Sequence, residues 1–185
     1  MNATKQLLTG VRVADFSRVL AGPYATAMLA DQGAEVIKIE MPGHGDDSRH
    51  LGPFTDSGST YFTGLNRGKR SIEADLKDPE DHARLLDLIA SCDVVVENFR
   101  PGVAAKLGLS YEDLKAVRPD IVYASISGFG QHGTQAKRPA YDTVIQALSG
   151  LMASTGFPDG SPTRVGESIA DVSAGVFAAF GISSA

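Results

Sequence analysis

Apolar and polar positions in the first forty residues already describe one supersecondary unit. Val11-Arg12-Val13-Ala14-Asp15-Phe16 alternates and reads as a strand. A turn follows, and Gly22-Pro23 opens a helix running to about Gln32. Proline suits the first helical position, where its missing N–H is not needed. Gly33 ends that helix as a cap, and Ala34–Glu40 forms the second strand. Strand, helix and strand in this order make a βαβ unit, which implies parallel pairing.

The remaining pattern extends that unit. Met41–Ser59 is rich in Gly, Pro, Asp and Ser and reads as a loop, and Arg70–Leu76 reads as extended. Asp78-Pro79-Glu80-Asp81 starts a helix that continues to about Ser91, with acids in its first turn. Asp93–Glu97 is apolar and β-branched, the signature of a buried strand. Ser110-Tyr111-Glu112-Asp113 is a near capping box, with Asp in place of the usual Glu or Gln. It opens a short helix that Pro119 closes. Ile121–Ser127 is a further strand, Gly128–Pro139 a glycine-bearing loop, Tyr141–Leu151 a helix and Thr155–Gly166 turn-rich. From Ile169 onward the residues are small and apolar and read as a tightly packed helix. Neither a Gly cap nor a basic last turn marks its end at Ser183-Ser184-Ala185, which reads as a truncation; the alternative is a frayed natural terminus. The expected fold class is α/β: a Rossmann-like, open, mostly parallel sheet with flanking helices, filling residues 1–185 as one domain.

Composition narrows the function classes. With 43% hydrophobic and 21% charged residues, the chain is globular rather than disordered. A formal net charge of -5 gives no support to a nucleic-acid partner. An anionic ligand would need local clusters of Lys and Arg. Cys92 is the single cysteine, which excludes an internal disulfide and a Cys-rich zinc site. His44, His50, His82 and His132 lack metal-ligand spacing, so no metal is expected. The opening MNATKQLLTG lacks the apolar stretch of a signal peptide, and no apolar run reaches membrane-spanning length. A cytoplasmic protein with no membrane partner is expected.

Chemistry concentrates near strand ends. Arg18, Lys38, Arg49, Lys69, Arg70, Arg100, Lys106, Lys137 and Arg138 all fall there, and ligands of open α/β sheets bind outside the carboxyl ends of the strands. The alternative is a solvated charged surface. The dinucleotide fingerprint is missing, because Ser17–Pro23 contains only one glycine, and no P-loop occurs. Free N–H groups at the helix start near Pro23 offer an anion site, although most such ends bind only water or their own cap. Asp171, among small and apolar neighbours in the first turn of the last helix, is a carboxylate that the helix dipole and free N–H groups would keep charged. That makes it a candidate nucleophile; the plainer alternative is an ordinary first-turn acid.

Several segments together resemble one family, the class III CoA-transferases (the CaiB/BaiF group, formyl-CoA-transferase-like). Asp15–Pro23 looks like the family's opening motif, and Leu29–Glu40 with Pro42–Asp46 is similar to its second. Asn66–Ile72, Val96–Gly102, Tyr141-Asp142, Thr155-Gly156 and Asp159-Gly160 resemble further signatures, in order along nearly the whole chain. The resemblance implies an amino-terminal half, the large domain, with the small domain, the C-terminal part and a glycine-rich active-site loop absent. It implies Asp171 as the catalytic aspartate. It also implies coenzyme A binding along Leu20, Ala21, Ala74, Asp75, Leu76, Lys77, Asn98, Phe99, Arg100, Lys106, Lys137, Arg138, Tyr141 and Asp142. Coenzyme A and acyl-CoA are substrates in such a scheme, with no permanently bound cofactor, and the partners are an acyl-CoA donor and a carboxylic acid acceptor. Family members resemble one another in forming interlocked homodimers.

Two departures refine the expectation. Leu20 stands where formyl-CoA transferases have a glutamine, which disfavours formate and oxalate and favours a larger acid. Tyr141 stands where the related 2-methylacyl-CoA racemases have a histidine, and a phenol is a poor base at neutral pH. Transfer is thereby preferred to racemisation; a racemase-type isomerase and a non-catalytic CoA-binding fragment are the alternatives.

Overall fold

The computed structural model describes residues 6–185; Met1–Lys5, half of the opening segment read for a signal peptide, lie outside the described residues. The chain begins with β1 (Arg12–Asp15), α1 (Ala21–Asp31) and β2 (Glu35–Glu40). A 3₁₀ turn (Asp47–His50), a small hairpin of β3 (Phe54–Thr55) and β4 (Gly58–Ser59), and α2 (Thr60–Leu65) precede β5 (Arg70–Glu73). Then come α3 (Pro79–Ala90), β6 (Val94–Glu97), α4 (Val103–Lys106), α5 (Tyr111–Val117) and β7 (Val122–Ser125). The last elements are α6 (Asp142–Leu148), a 3₁₀ turn (Leu151–Ser154) and α7 (Ile169–Ser184).

The five longer strands form one parallel sheet in the order β5-β2-β1-β6-β7. From β1 the chain winds outward through β2 and β5, then returns to β6 and winds the other way. The reversal between β1 and β6 is the switch point at which doubly wound sheets bind ligands. Both faces are covered, and adjacent residues of a strand serve opposite cores. Val13, Val36, Val94 and Val96 pack with Ala25 and Leu29 of α1 and Ala179 of α7. Ala14, Ile39 and Val95 pack with Leu85 and Ile89 of α3 and Leu114 of α5.

The fold class and the strand and helix succession agree with the sequence reading; the departures are local. The segment read as a loop over Met41–Ser59 contains the 3₁₀ turn and the hairpin. Helices α2 and α4 are too short, at 6 and 4 residues, to show a helical apolar period. Helix α1 starts at Ala21, so Pro23 sits third rather than first; the first-turn N–H groups have no partner inside the helix, so proline costs nothing there either. The helix expected to run to Leu151 stops at Leu148, ahead of Gly150 in the left-handed region (φ 81°). The capping readings agree with the structure: Asp78 accepts from the N–H groups of Glu80 and Asp81, and Ser110 with Asp113 completes a capping box.

Helix α7 crosses α1 at very close range because of Gly175. A Cβ there would lie 2.7 Å from the Ala21 carbonyl oxygen and 3.1 Å from the Tyr24 ring. Gly175→Ala should therefore lower the urea midpoint by an amount equivalent to about 1 kcal/mol or more, the overpacking penalty exceeding alanine's helix-propensity gain. An unchanged midpoint would mean that the two helices separate freely.

Candidate active site

The crevice at the switch point opens where the chain leaves the sheet. Asp15, at the end of β1, is fully buried and accepts from the backbone N–H and hydroxyl of Ser17, the hydroxyl of Thr26 (2.6 Å) and Nζ of Lys69 (3.0 Å). Burial alone would push its carboxyl upward, but Lys69, Lys38 and the two hydroxyls outweigh this and hold it below the ordinary range. These bonds fold the chain back so tightly that a Cβ on Gly22 would sit 2.2 Å from the Ser17 Cβ. At the end of β6, the buried Glu97 accepts from the Phe99 N–H (2.7 Å) and turns Asn98 and Phe99 toward the same crevice. Burial leaves the Glu97 carboxyl with a raised pKa.

Asp171 reaches this crevice through a polar staple under α7. The buried Asp142, at the start of α6, accepts from the N–H groups of Ala170 (2.8 Å) and Asp171 (3.4 Å) and from the amide of Gln146 (2.6 Å). Gln146, fully buried, in turn accepts from the Val165 N–H (2.9 Å) and donates to the Glu167 carbonyl (3.2 Å). Two side chains one helical turn apart thus fix the entire approach to α7.

The resulting cleft has a volume of about 590 Å³, within the range of small-molecule sites. Its walls come from the segments after β1, β6 and β7 and from the start of α7. They carry Asp171 together with the three guanidinium-bearing residues Arg18, Arg100 and Arg138. Arg18 pairs with Asp47 (3.4 Å), whereas Arg100 and Arg138 are in no ion pair among the described residues. Such a surface attracts an anion despite the chain's net negative charge. Burial, and then the charge of Asp142, raise the pKa of Asp171. This corrects the expectation that the helix start favours the Asp171 anion: the N–H groups of Ala170 and Asp171 are already taken by a second acid, and desolvation works against the charge. Tyr61 of α2 is half-buried, and burial followed by the nearby charges of Asp171 and Asp46 raises its pKa. Sequence reading missed Tyr61 because the helix that carries it is too short to signal itself.

Leu20, Ala21, Asn98, Phe99, Arg100, Arg138 and Tyr141 line the cleft with Asp171. The other residues read from the family resemblance do not. Ala74 is buried in the core beside Phe16 and Ile39, and Leu76 packs against that core. Asp75, Lys77 and Lys106 are exposed away from the cleft lining. Lys137 lines a neighbouring hollow with His132 and Thr134. Asp142 lies beneath the site as a cap. Four cations placed near strand ends are used within the fold: Lys38 pairs with Asp46 (2.7 Å), Lys69 with Asp15, Arg49 with Glu40 (2.7 Å) and Arg70 with Glu35 (3.0 Å). Among the described residues, no group of three His, Cys, Asp or Glu side chains is placed to hold a metal, and no helix is long and apolar enough to cross a membrane.

Because the staple keeps Asp142 near Asp171, Asp142→Asn should lower the pH of half-protonation at Asp171 while retaining an acceptor for the α7 N–H groups. A carboxylate-resolved NMR titration checks this, and an unmoved midpoint would show that burial alone sets the value.

A doubly wound parallel sheet with three arginines and two aspartates, Asp47 and Asp171, lining the cleft at its switch point is a Rossmann-like domain suited to an anionic ligand. The chain belongs to CoA-transferase family III, whose profile it matches over residues 8–185. An acetyl-CoA:oxalate CoA-transferase of Acetobacter aceti is 54% identical to it over 177 residues, covering 95% of this chain and 46% of that protein. A succinyl-CoA:glutarate CoA-transferase of Mus musculus is 50% identical over 172 residues, covering 92% and 39%. The crystal structure of a CaiB/BaiF family protein from Brucella suis superposes with a TM-score of 0.93 at 42% identity, over 98% of this chain and 49% of that one. The chain spans less than half the length of these curated relatives.

Proposed function

We propose that this chain supplies the large domain of a CoA-transferase that moves coenzyme A from an acyl-CoA thioester to a free carboxylic acid. The observation carrying this reading is the presence of Asp171 and three guanidinium-bearing residues in one switch-point cleft. The arginines offer charge to the phosphates of coenzyme A, and Asp171 is the nucleophile. Its carboxylate attacks the thioester carbonyl, giving a mixed anhydride and CoA thiolate. The thiolate attacks the aspartyl carbonyl, forming an aspartyl-CoA thioester and releasing the donor acid. The acceptor carboxylate attacks that thioester, releasing the thiolate again, and the thiolate takes the acceptor acyl group from the second anhydride and frees Asp171. Leu20, which caps α1, makes no side-chain hydrogen bond to the helix start, so the first N–H groups are free to meet an oxyanion.

A dicarboxylate is the proposed acceptor class. The departure at Leu20 favours a larger acid, and relatives are named for glutarate, mesaconate and D-citramalate as well as oxalate. In the interlocked homodimer that the family resemblance suggests, the exposed Phe177 and Phe180 of α7 would meet protein rather than water. Residues 1–185 would be its amino-terminal half, and a cytoplasmic location accords with the substrates.

The test is transfer of CoA from succinyl-CoA to a panel of mono- and dicarboxylates by the full-length protein, followed by chromatography of the thioesters. New acyl-CoA formed with a dicarboxylate supports the proposal. Deuterium exchange at the α-carbon without transfer would assign an isomerase instead, and CoA binding without either reaction would leave only a binding domain.

A further inference from the structure

In the turn between β1 and α1, three consecutive residues, Ser17, Arg18 and Val19, are each held by a side chain from elsewhere on the sheet edge. Lys38 Nζ donates to the Ser17 carbonyl at 2.8 Å. Asn98 accepts from the Arg18 N–H at 2.8 Å and donates to the Arg18 carbonyl at 2.7 Å, using both ends of its amide. Asp46 accepts from the Val19 N–H at 3.1 Å. Lys38 and Asp46 form an ion pair at 2.7 Å, with side chains 1% and 0% exposed.

This clamp surrounds a backbone that a valine would not adopt unaided. Val19 has φ 67°, and among the described residues it is the one non-glycine with positive φ. A β-branched residue there is a genuine outlier, because its Cβ crowds the following carbonyl oxygen. Such a conformation persists only where its surroundings over-determine it, and it clusters at functional sites. The strain lies immediately before Leu20 and Ala21, which line the cleft with Asp171. Stability alone does not account for the pair either, since replacing a buried ion pair by packed apolar side chains is often neutral or favourable.

We propose that Lys38, Asp46 and Asn98 are positioning residues: they hold Val19 left-handed and thereby set the placement of the Leu20–Ala21 backbone in the cleft that contains Asp171. The kinetic consequence rests on the CoA-transfer reading; the clamp itself does not. Both ends of the Asn98 amide are then committed to the turn.

The test uses Lys38→Met/Asp46→Leu in the full-length protein, which removes the clamp without leaving a lone buried charge. Deuterium uptake in the peptide containing Ser17–Leu20 should rise about 10-fold or more relative to the rest of the sheet edge. Turnover in CoA transfer should fall about 10–100-fold, with CoA affinity within about 3-fold of wild type. Unchanged exchange, or unchanged turnover per folded enzyme, would overturn the proposal. Asn98→Ala orphans no charge and decides the matter should the double variant not fold. A loss in kcat exceeding the rise in KM supports positioning, whereas a raised KM with intact kcat returns Asn98 to ligand contact and overturns its assignment. If the wild-type protein transfers no CoA, the functional reading fails, and the exchange measurement alone decides for or against the clamp.

Discussion

Asp171→Asn in the full-length protein is expected to reduce CoA transfer by at least about 1,000-fold while leaving CoA binding intact. The amide has the shape of the carboxylate but cannot form the anhydride, and the residues that would hold coenzyme A are untouched. Hydroxylamine added during turnover should attack the activated aspartyl carbonyl, expel CoA and leave a hydroxamate on position 171 in the wild type and on nothing in the variant, as read by peptide mass spectrometry. Transfer at a wild-type rate by the asparagine variant would remove Asp171 from the mechanism.

The same substitution should raise the melting temperature. Burial, and then Asp142, push the Asp171 pKa above its ordinary value. A group raised in the folded state contributes stability that is present below its unfolded pKa and lost as pH rises through the folded one. At neutral pH the charged Asp171 therefore opposes folding, and a neutral amide relieves it. Activity runs the other way: transfer needs the anion, so its acid limb should lie above the ordinary aspartate range. Loss of activity together with a gain in stability is the pattern of a residue kept for chemistry.

The second large effect is on stability. Asp15→Ala should cost about 3–5 kcal/mol, measured by urea denaturation at neutral pH. The Lys69 side chain is 2% exposed and would lose its carboxylate, and the hydroxyls of Ser17 and Thr26 would lose an acceptor. The pH dependence has the opposite sign to that of Asp171. Lys69, Lys38 and the hydroxyls overcome the upward push of burial and depress the Asp15 pKa. Its contribution is complete above the unfolded carboxylate value and is lost as pH falls through the native one. The acid-unfolding curve of Asp15→Ala should accordingly be flatter than that of the wild type. A cost below about 1 kcal/mol would show that water reaches Lys69 and replaces the carboxylate.

Strand runs such as Val94-Val95-Val96, helix starts such as Asp78-Pro79 and Ser110–Asp113, and the stop at Gly33 are local signals; each depends on neighbours in sequence, and each was legible. The candidate nucleophile could be named because the resemblance runs through the motifs in order. Its environment could not be read. Asp142 is 29 residues from Asp171, and only the packing of α6 under α7 makes it the acceptor of the Asp171 N–H. Lys38, Lys69 and Arg49 looked like ligand cations because they fall near strand ends, but their partners are acids brought close by folding.

The sequence by itself determined the succession of strands and helices and, through its βαβ unit, a mostly parallel sheet, because apolar period and cap chemistry are properties of short windows. The tertiary structure alone decided which charges face the cleft and which are consumed beneath it, because Coulomb energy and desolvation depend on distance and burial, and neither is a function of position along the chain.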